Sequence, residues 1–254
     1  QLIINEKNYG LHWFVVQVRD IHTHQPLSGV TIFDMGLKNN IMWDAEDNGG
    51  IIFHKYRIPR SALLNKYQEV TPEGKYILKI RDKKTLFGLT LGALSGGRVT
   101  IAGDIIERAR LSLVIAVRYS AVRRQFGLPK KPEYPVIEYQ LQQYRLLPNL
   151  AGYFVLKLLT RWQYQKYFEV KTLSKKEKLD DHFLRMNAEM HAISCALKPY
   201  CTWFARDTTQ TCRELCGGHG FSSYSRLTII RSEMDPSLTY EGENNVRKKF
   251  LFTF

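Results

Sequence analysis

The N-terminal third of the chain and the remainder carry different hydrophobic rhythms. From Leu11 to Pro59 the runs "LHWFVVQVRD", "GVTIFDMG" and "GIIFHKYRIP" gather β-branched and aromatic residues between glycine, proline and asparagine, a pattern that predicts short strands. After about Gly88 the spacing turns helical. Val99, Ala102, Ile106, Ala109, Leu113 and Ala116 recur at threes and fours and predict one long helix with a buried face. The stretch "QFGLPKKPEYP", Gln125 to Pro135, stops that helix. A second periodic run follows Pro135 and aligns Ile137, Leu141, Tyr144, Ala151, Val155, Leu158 and Trp162 along one stripe, with Pro148 expected to bend it. A third run starts near Asp180 and ends at Gly217 and Gly218, where glycines can take the left-handed conformation that closes a helix. A fourth, shorter helix is expected to begin near Glu241. Strands followed by about four helices imply an α+β fold in which the helices pack on one another as a bundle.

Composition narrows this picture. The chain has 254 residues, 44% hydrophobic and 12% aromatic, enough for a core of its own. Its net charge of +13 suits nucleic acid, anionic lipid or a phosphate-rich metabolite such as coenzyme A, and charge alone does not choose among them. The densest basic run, "KTLSKKEK" at Lys171 to Lys178, reads as a solvated loop between helices, because no nucleic-acid-binding module accompanies it. No stretch has the apolar length of a membrane span. The four cysteines, Cys195, Cys201, Cys212 and Cys216, lie in one helical region and fit a reducing compartment better than a disulfide scaffold. Cys212, Cys216 and His219 lack a fourth partner with finger-like spacing, so no metal is expected. Gln1 stands where an initiating methionine would, and no secretory leader follows, so the sequence reads as a fragment.

Three stretches carry candidate chemistry. The glycines of "LCGGHGF", Leu215 to Phe221, let a phosphate or ring approach the backbone, although a simple helix cap explains them as well. In "RRQFG", Arg123 to Gly127, two guanidinium groups and an aromatic suit a diphosphate and a planar ring, or equally an ordinary basic helix terminus. Glu241 and Glu243 stand close together before the last helix. Glu241 there is either a cap that complements the helix dipole or a base facing a cavity, and local sequence does not separate the two.

The combination is more specific than its parts. "SGGRVTIAG", "RRQFG", "EYQLQQYRLLP", "CRELCGGHGF" and "DPSLTYEGENN" occur in the order and context of the acyl-CoA oxidases, and the chain most resembles the peroxisomal branched-chain (pristanoyl-CoA) type. The segments "GLHWFVVQVRD", "GVTIFDMG", "DNGGIIFHKYRIPRSALLNK" and "VTPEGKY" resemble the second half of that family's central β-domain. The resemblance implies residues 1–82 as the C-terminal half of a β-domain and 83–254 as a four-helix-bundle-like domain of the acyl-CoA dehydrogenase type.

It also implies an activity: with FAD and molecular oxygen, an acyl-CoA becomes the trans-2-enoyl-CoA and hydrogen peroxide is formed, in the peroxisome. The α-proton beside a thioester is weakly acidic, so the reaction needs a polarised carbonyl and a desolvated carboxylate of raised pKa. Glu241 matches the family's base. Related dehydrogenases offer a second position for the base, directly before the helix arginine, and here it is Gly97, followed by Arg98. By the same resemblance Arg123, Gln125 and Phe126 contact the FAD of a neighbouring subunit, with Gln140, Gly217 and Gly218 near its diphosphate and adenine ends, so a homodimer completes the site. Glu243 and Asn245 match FAD-touching positions, while Arg98, Tyr240 and Gly242 match substrate-facing ones. Gln17 replaces a usual proline, and "FDMGLKNNIMWDAEDNGG" is bulky where the family tends to glycine, which bears on acyl-chain contacts. A truncated homologue acting as a dimerising partner, and a dehydrogenase that passes electrons to a carrier, are the competing expectations. No import signal lies within the sequence.

Overall fold

The computed structural model describes residues 1–38, 45–46, 48–80, 82–174 and 180–246, grouped into two compact units, Gln1–Thr90 and Leu91–Phe254. The central part of the Phe33–Gly50 segment and the end of the basic run, residues 175–178, lie outside the described residues.

In the first unit the predicted extended segments form three separate antiparallel ribbons. These are β1 (Ile3–Ile4) with β2 (Lys7–Asn8), β3 (Val30–Asp34) with β4 (Gly49–Phe53), and β5 (Gln68–Val70) with β6 (Tyr76–Leu78). Val30 opposite Phe53 and Ile32 opposite Ile51 set the register of the middle pair. The run from Leu11 to Asp20 differs from expectation, because it makes isolated bridges only, at Phe14 to Leu63 and Arg19 to Pro26. Its apolar composition is strand-like, yet few neighbouring backbone groups extend a ladder along it. Trp13 and Val15 are correspondingly exposed.

A short helix, α1 (Lys83–Ala93), runs across the boundary between the units and starts where the Asp82 carboxylate accepts from the Thr85 N–H at 2.7 Å and caps it. The second unit is helical and organised around α2. The long helices are α2 (Ser95–Val122), α3 (Gln140–Ser174), which runs on through Pro148, and α4 (Asp181–Leu215). Asp180 caps α4 by accepting from the Phe183 N–H at 2.8 Å, where the sequence places the start. Two short helices, α5 (Gly217–Phe221) and α6 (Leu227–Met234), follow. Arg98 reaches Cys195, and Ser112 meets Thr209, so α2 and α4 run parallel. Gly96 lies under Tyr167 while Ser120 meets Gln142, so α3 runs antiparallel to α2.

The predicted face of α2 is the core. Val99, Ala102, Ile106, Ala109, Leu113 and Ala116 are all at most 1% exposed, and from Ala102 onward they pack with Leu146, Tyr153 and Leu156 of α3 and Cys201, Ala205 and Cys212 of α4. Charged pairs tie the rim: Arg108 to Glu233 at 2.7 Å joins α2 to α6, and Arg145 to Glu214 joins α3 to α4.

The stripe expected on α3 is on the other side of the helix. Leu141, Tyr144, Val155, Leu158 and Trp162 are exposed, whereas Leu146, Tyr153 and Leu156 pack against α2 and α4, and Thr160 and Gln163 are buried. Both rows repeat every three and four positions, so periodicity marks two apolar faces and does not say which one is covered. The basic run also departs from a loop at its start, since Lys171–Ser174 continue α3.

Candidate active site

The segment after α6 is where the two neighbouring acids separate. A short 3-10 turn, Asp235–Leu238, leads into Tyr240 and Glu241, and Glu241 has φ 54° and Gly242 φ 104°. The left-handed region is unfavourable for a side-chain-bearing residue such as Glu241, so the surrounding contacts must hold it.

Glu243 is the cap. Its carboxylate accepts from the Asn245 N–H at 2.9 Å, the Val246 N–H at 3.1 Å and the Asn245 Nδ2 at 2.9 Å, as residues 244–246 enter a helical turn. Those backbone donors, first Asn245 and then Val246, hold its carboxyl below the ordinary glutamate value.

Glu241 is placed quite differently. A Cβ built on Gly97 would lie 2.5 Å from Glu241 Oε1 and 2.9 Å from Cδ, so the carboxylate rests directly on the bare backbone of the first turn of α2. Any side chain at position 97 would contend for that space. The Glu241 carboxylate therefore occupies the space into which a side chain at position 97 would project. Arg98, one residue on and fully buried, donates from Nε to the Glu241 carbonyl at 3.2 Å and lies 3.4 Å from His191 Nδ1. Arg98 thus sits beneath the loop. Tyr240 is exposed beside it, while Glu241 and Gly242 are partly covered.

On the opposite side, Lys198 of α4 donates from Nζ to the Gly242 carbonyl at 3.0 Å and to Asn244 Oδ1 at 2.8 Å. Asn244 Nδ2 donates in turn to Thr202 Oγ1 at 3.0 Å. Lys198, Thr202, Asn244 and His191 were not among the sequence candidates. The only sequence signal for Lys198 is a lysine on the small-residue face of α4, directly before Pro199.

The remaining candidates assemble at the far end of the same helices. Arg123 Nη2 donates to Gln125 Oε1 at 3.2 Å, and the Tyr139 hydroxyl donates to the Gln125 carbonyl at 2.8 Å. Phe126 is 70% exposed with φ 60°. Gln140 opens α3 beside them, and a groove of about 490 Å³ lined by Tyr134, Pro135, Glu138 and Tyr139 adjoins. Gln142 Nε2 ties this end of α3 to α2 through Ser120 Oγ at 2.7 Å and to α4 through the Leu215 carbonyl at 3.2 Å. Beyond Leu215, Gly217 has φ 56°, and a side chain at Gly217 or Gly218 would meet open space. His219 Nδ1 faces the Tyr119 hydroxyl at 3.3 Å, while Cys212 and Cys216 belong to the core. Among the described residues, no group of three or more His, Cys, Asp or Glu side chains is arranged to hold a metal, and no helix is long and apolar enough to cross a membrane.

Residues 91–250 match the family model described as the acyl-CoA oxidase C-alpha1 domain. The chain belongs to the acyl-CoA oxidase family. It is 41% identical over 238 residues to human peroxisomal acyl-coenzyme A oxidase 3, covering 94% of this chain and 34% of that one. Among solved structures, Arabidopsis thaliana acyl-CoA oxidase 1 superposes with a TM-score of 0.85 at 35% identity, over 98% of this chain and 37% of that one. A Caenorhabditis elegans acyl-CoA oxidase-2 bound with FAD, ascaroside-CoA and ATP gives a TM-score of 0.85 at 33% identity, over 98% and 36%. The chain thus spans about a third of the length of the acyl-CoA oxidases it matches. Both of its units fall within the matched region, which accords with the α+β reading of the sequence.

Proposed function

We propose that this chain carries the base and the diphosphate-facing surface of an FAD-dependent acyl-CoA oxidase, acting on long-chain or 2-methyl-branched acyl thioesters in the peroxisome. The observation that carries this reading is the Glu241 carboxylate lying on Gly97, with nothing else at the alternative base position. From there Glu241 takes the α-proton of the acyl thioester onto its carboxylate. General-base action of this kind contributes about 10²- to 10⁴-fold in rate. Arg98 holds the carbonyl of Glu241 and so fixes the direction from which the carboxylate approaches. Glu243, occupied in capping, shapes the loop.

The residues at the far end of the bundle fit the cofactor. An exposed guanidinium at Arg123, an uncovered ring at Phe126 and bare backbone at Gly217 and Gly218 together offer charge, a stacking face and close approach to a dinucleotide. When bound, FAD accepts the β-hydride, and its reoxidation by oxygen gives peroxide. Between Gly97 and Val122 the helix rises about 1.5 Å per residue, roughly 37 Å in all, so one chain's base and its own Arg123 set do not reach the same flavin. That distance supports a homodimer in which Arg123, Gln125, Phe126, Gln140, Gly217 and Gly218 serve the neighbour, and Asn245 stays with Glu241.

The test is to purify the protein carrying this chain, reduce it anaerobically with a long-chain acyl-CoA and admit oxygen. Enoyl-CoA with stoichiometric peroxide and rapid return of the yellow colour support the oxidase. Reduction followed by slow reoxidation overturns the oxidase in favour of a dehydrogenase, and colourless protein overturns both.

A further inference from the structure

We propose that Lys198 is a positioning residue for Glu241: with Asn244 and Thr202 it forms a buried hydrogen-bonded brace that fixes the loop bearing the base. The proposal deepens the reading of Glu241 given above and rests on it.

Lys198 lies in the middle of α4 and is fully buried, as is Thr202, and Asn244 is 1% exposed. A lysine ammonium withdrawn from water is unfavourable unless its protons are taken up by good acceptors. Here Nζ reaches the Gly242 carbonyl at 3.0 Å and Asn244 Oδ1 at 2.8 Å. The Asn244 amide then donates to Thr202 Oγ1 at 3.0 Å, and the Thr202 hydroxyl donates back to the Lys198 carbonyl at 2.9 Å. The circuit closes on the residue where it began. It connects only two pieces of chain, one turn of α4 and the segment Gly242–Asn244.

The consequence lies in which carbonyls are held. Arg98 of α2 grips the carbonyl of Glu241 and Lys198 of α4 grips the next one, that of Gly242, so two buried cations from different helices clamp consecutive peptide groups. The positive φ at Glu241 persists only where surrounding contacts over-determine it, whereas Gly242 adopts its own without strain. Loss of the ammonium leaves the Gly242 carbonyl and the Asn244 amide oxygen without their strong donor. The loop then moves at the residue next to the base, and a shift of about 1 Å in a reacting group costs on the order of 10²-fold in rate. Burial alone does not account for this arrangement, since a leucine or methionine would fill the same interior without reaching two atoms of the active loop.

Lys198→Met keeps the volume and removes the donors, and Asn244→Ala removes the other half of the circuit. Hydrogen exchange is measured on flavin-free protein, and kcat and KM on flavin-loaded protein. The brace requires exchange of residues 240–246 to quicken by about tenfold or more in Lys198→Met, while peptides of α2 and α3 keep their rates. It also requires kcat to fall about 10²-fold with KM for the acyl-CoA within about twofold, and a smaller change of the same pattern in Asn244→Ala. Unchanged exchange at 240–246 in either folded variant overturns the proposal, as does a loss confined to KM. Should Lys198→Met not fold, Asn244→Ala alone decides. Parent protein without oxidase turnover refutes the function proposed for Glu241, yet leaves exchange free to decide whether the brace holds the loop.

Discussion

Gly97→Ala separates the stability of α2 from the placement of the base. Alanine is favoured over glycine by about 1 kcal/mol in a helix interior and by no more than that in the first turn, where Gly97 lies, through lower unfolded-state entropy and better propensity. Against this, the new Cβ would lie 2.5 Å from Glu241 Oε1. The carboxylate must retreat by about 0.9 Å to reach ordinary contact at 3.4 Å, and as the far end of a rotatable side chain it can do so at small energetic cost. Stability should therefore change by no more than about 1 kcal/mol in either direction, equivalent to about 2–4 °C in Tm. Turnover is far more sensitive, because a displacement near 1 Å at a reacting group costs on the order of 10²-fold. Thermal unfolding followed by circular dichroism and the peroxide-coupled assay are run on the same preparation. A Tm near the parent value with kcat reduced about 30- to 100-fold is expected. A kcat within about twofold of the parent would refute the reasoning, because the carboxylate would then not work from the place where it rests on Gly97.

Other outcomes follow from the same geometry. If Arg123 serves the neighbour's cofactor, then mixing subunits of Glu241→Gln with subunits of Arg123→Ala, each inactive alone, restores about a quarter of parent activity, since half the dimers carry one intact site; no restoration would place both residues in one site. Burial pushes the Cys201 and Cys212 thiols up to about 12 and Cys216 to about 11, so a disulfide reagent at neutral pH should leave these three unmodified in the folded protein and label them on denaturation. The Glu243 carboxyl is held below its ordinary 4.5 by the capping N–H groups, so its contribution to the loop is complete above that pH and is lost as pH falls through the lower folded value. Hydrogen exchange at Asn245 and Val246, corrected for intrinsic rates, should lose protection only in that acid range, and Glu243→Gln should reduce it at neutral pH.

How much of this the sequence carried depends on distance along the chain. The buried row of α2 was legible because Val99 through Ala116 present a single apolar face, and the start of α4 because Asp180 caps locally. On α3 the pattern misled: Leu141, Tyr144, Val155, Leu158 and Trp162 form a row as regular as the one beneath it, and only the packing of α2 and α4 selects the buried side. The roles of the two acids were ambiguous for a similar reason. Glu243 caps through neighbours two and three residues away, whereas Glu241 is defined by Gly97 and Arg98, and the Arg98 bond spans 143 positions. The brace was invisible because Lys198 meets its acceptors 44 and 46 residues further on, and a lysine within a helix ordinarily reads as solvated surface.

The most direct test of the account is Glu241→Gln, which keeps the shape of the side chain and removes its ability to take a proton. The account requires parent-like folding and flavin content with turnover of acyl-CoA reduced by about 10²-fold or more. Turnover retained above about a tenth of the parent would contradict it, because the proton would then be leaving to some group other than Glu241.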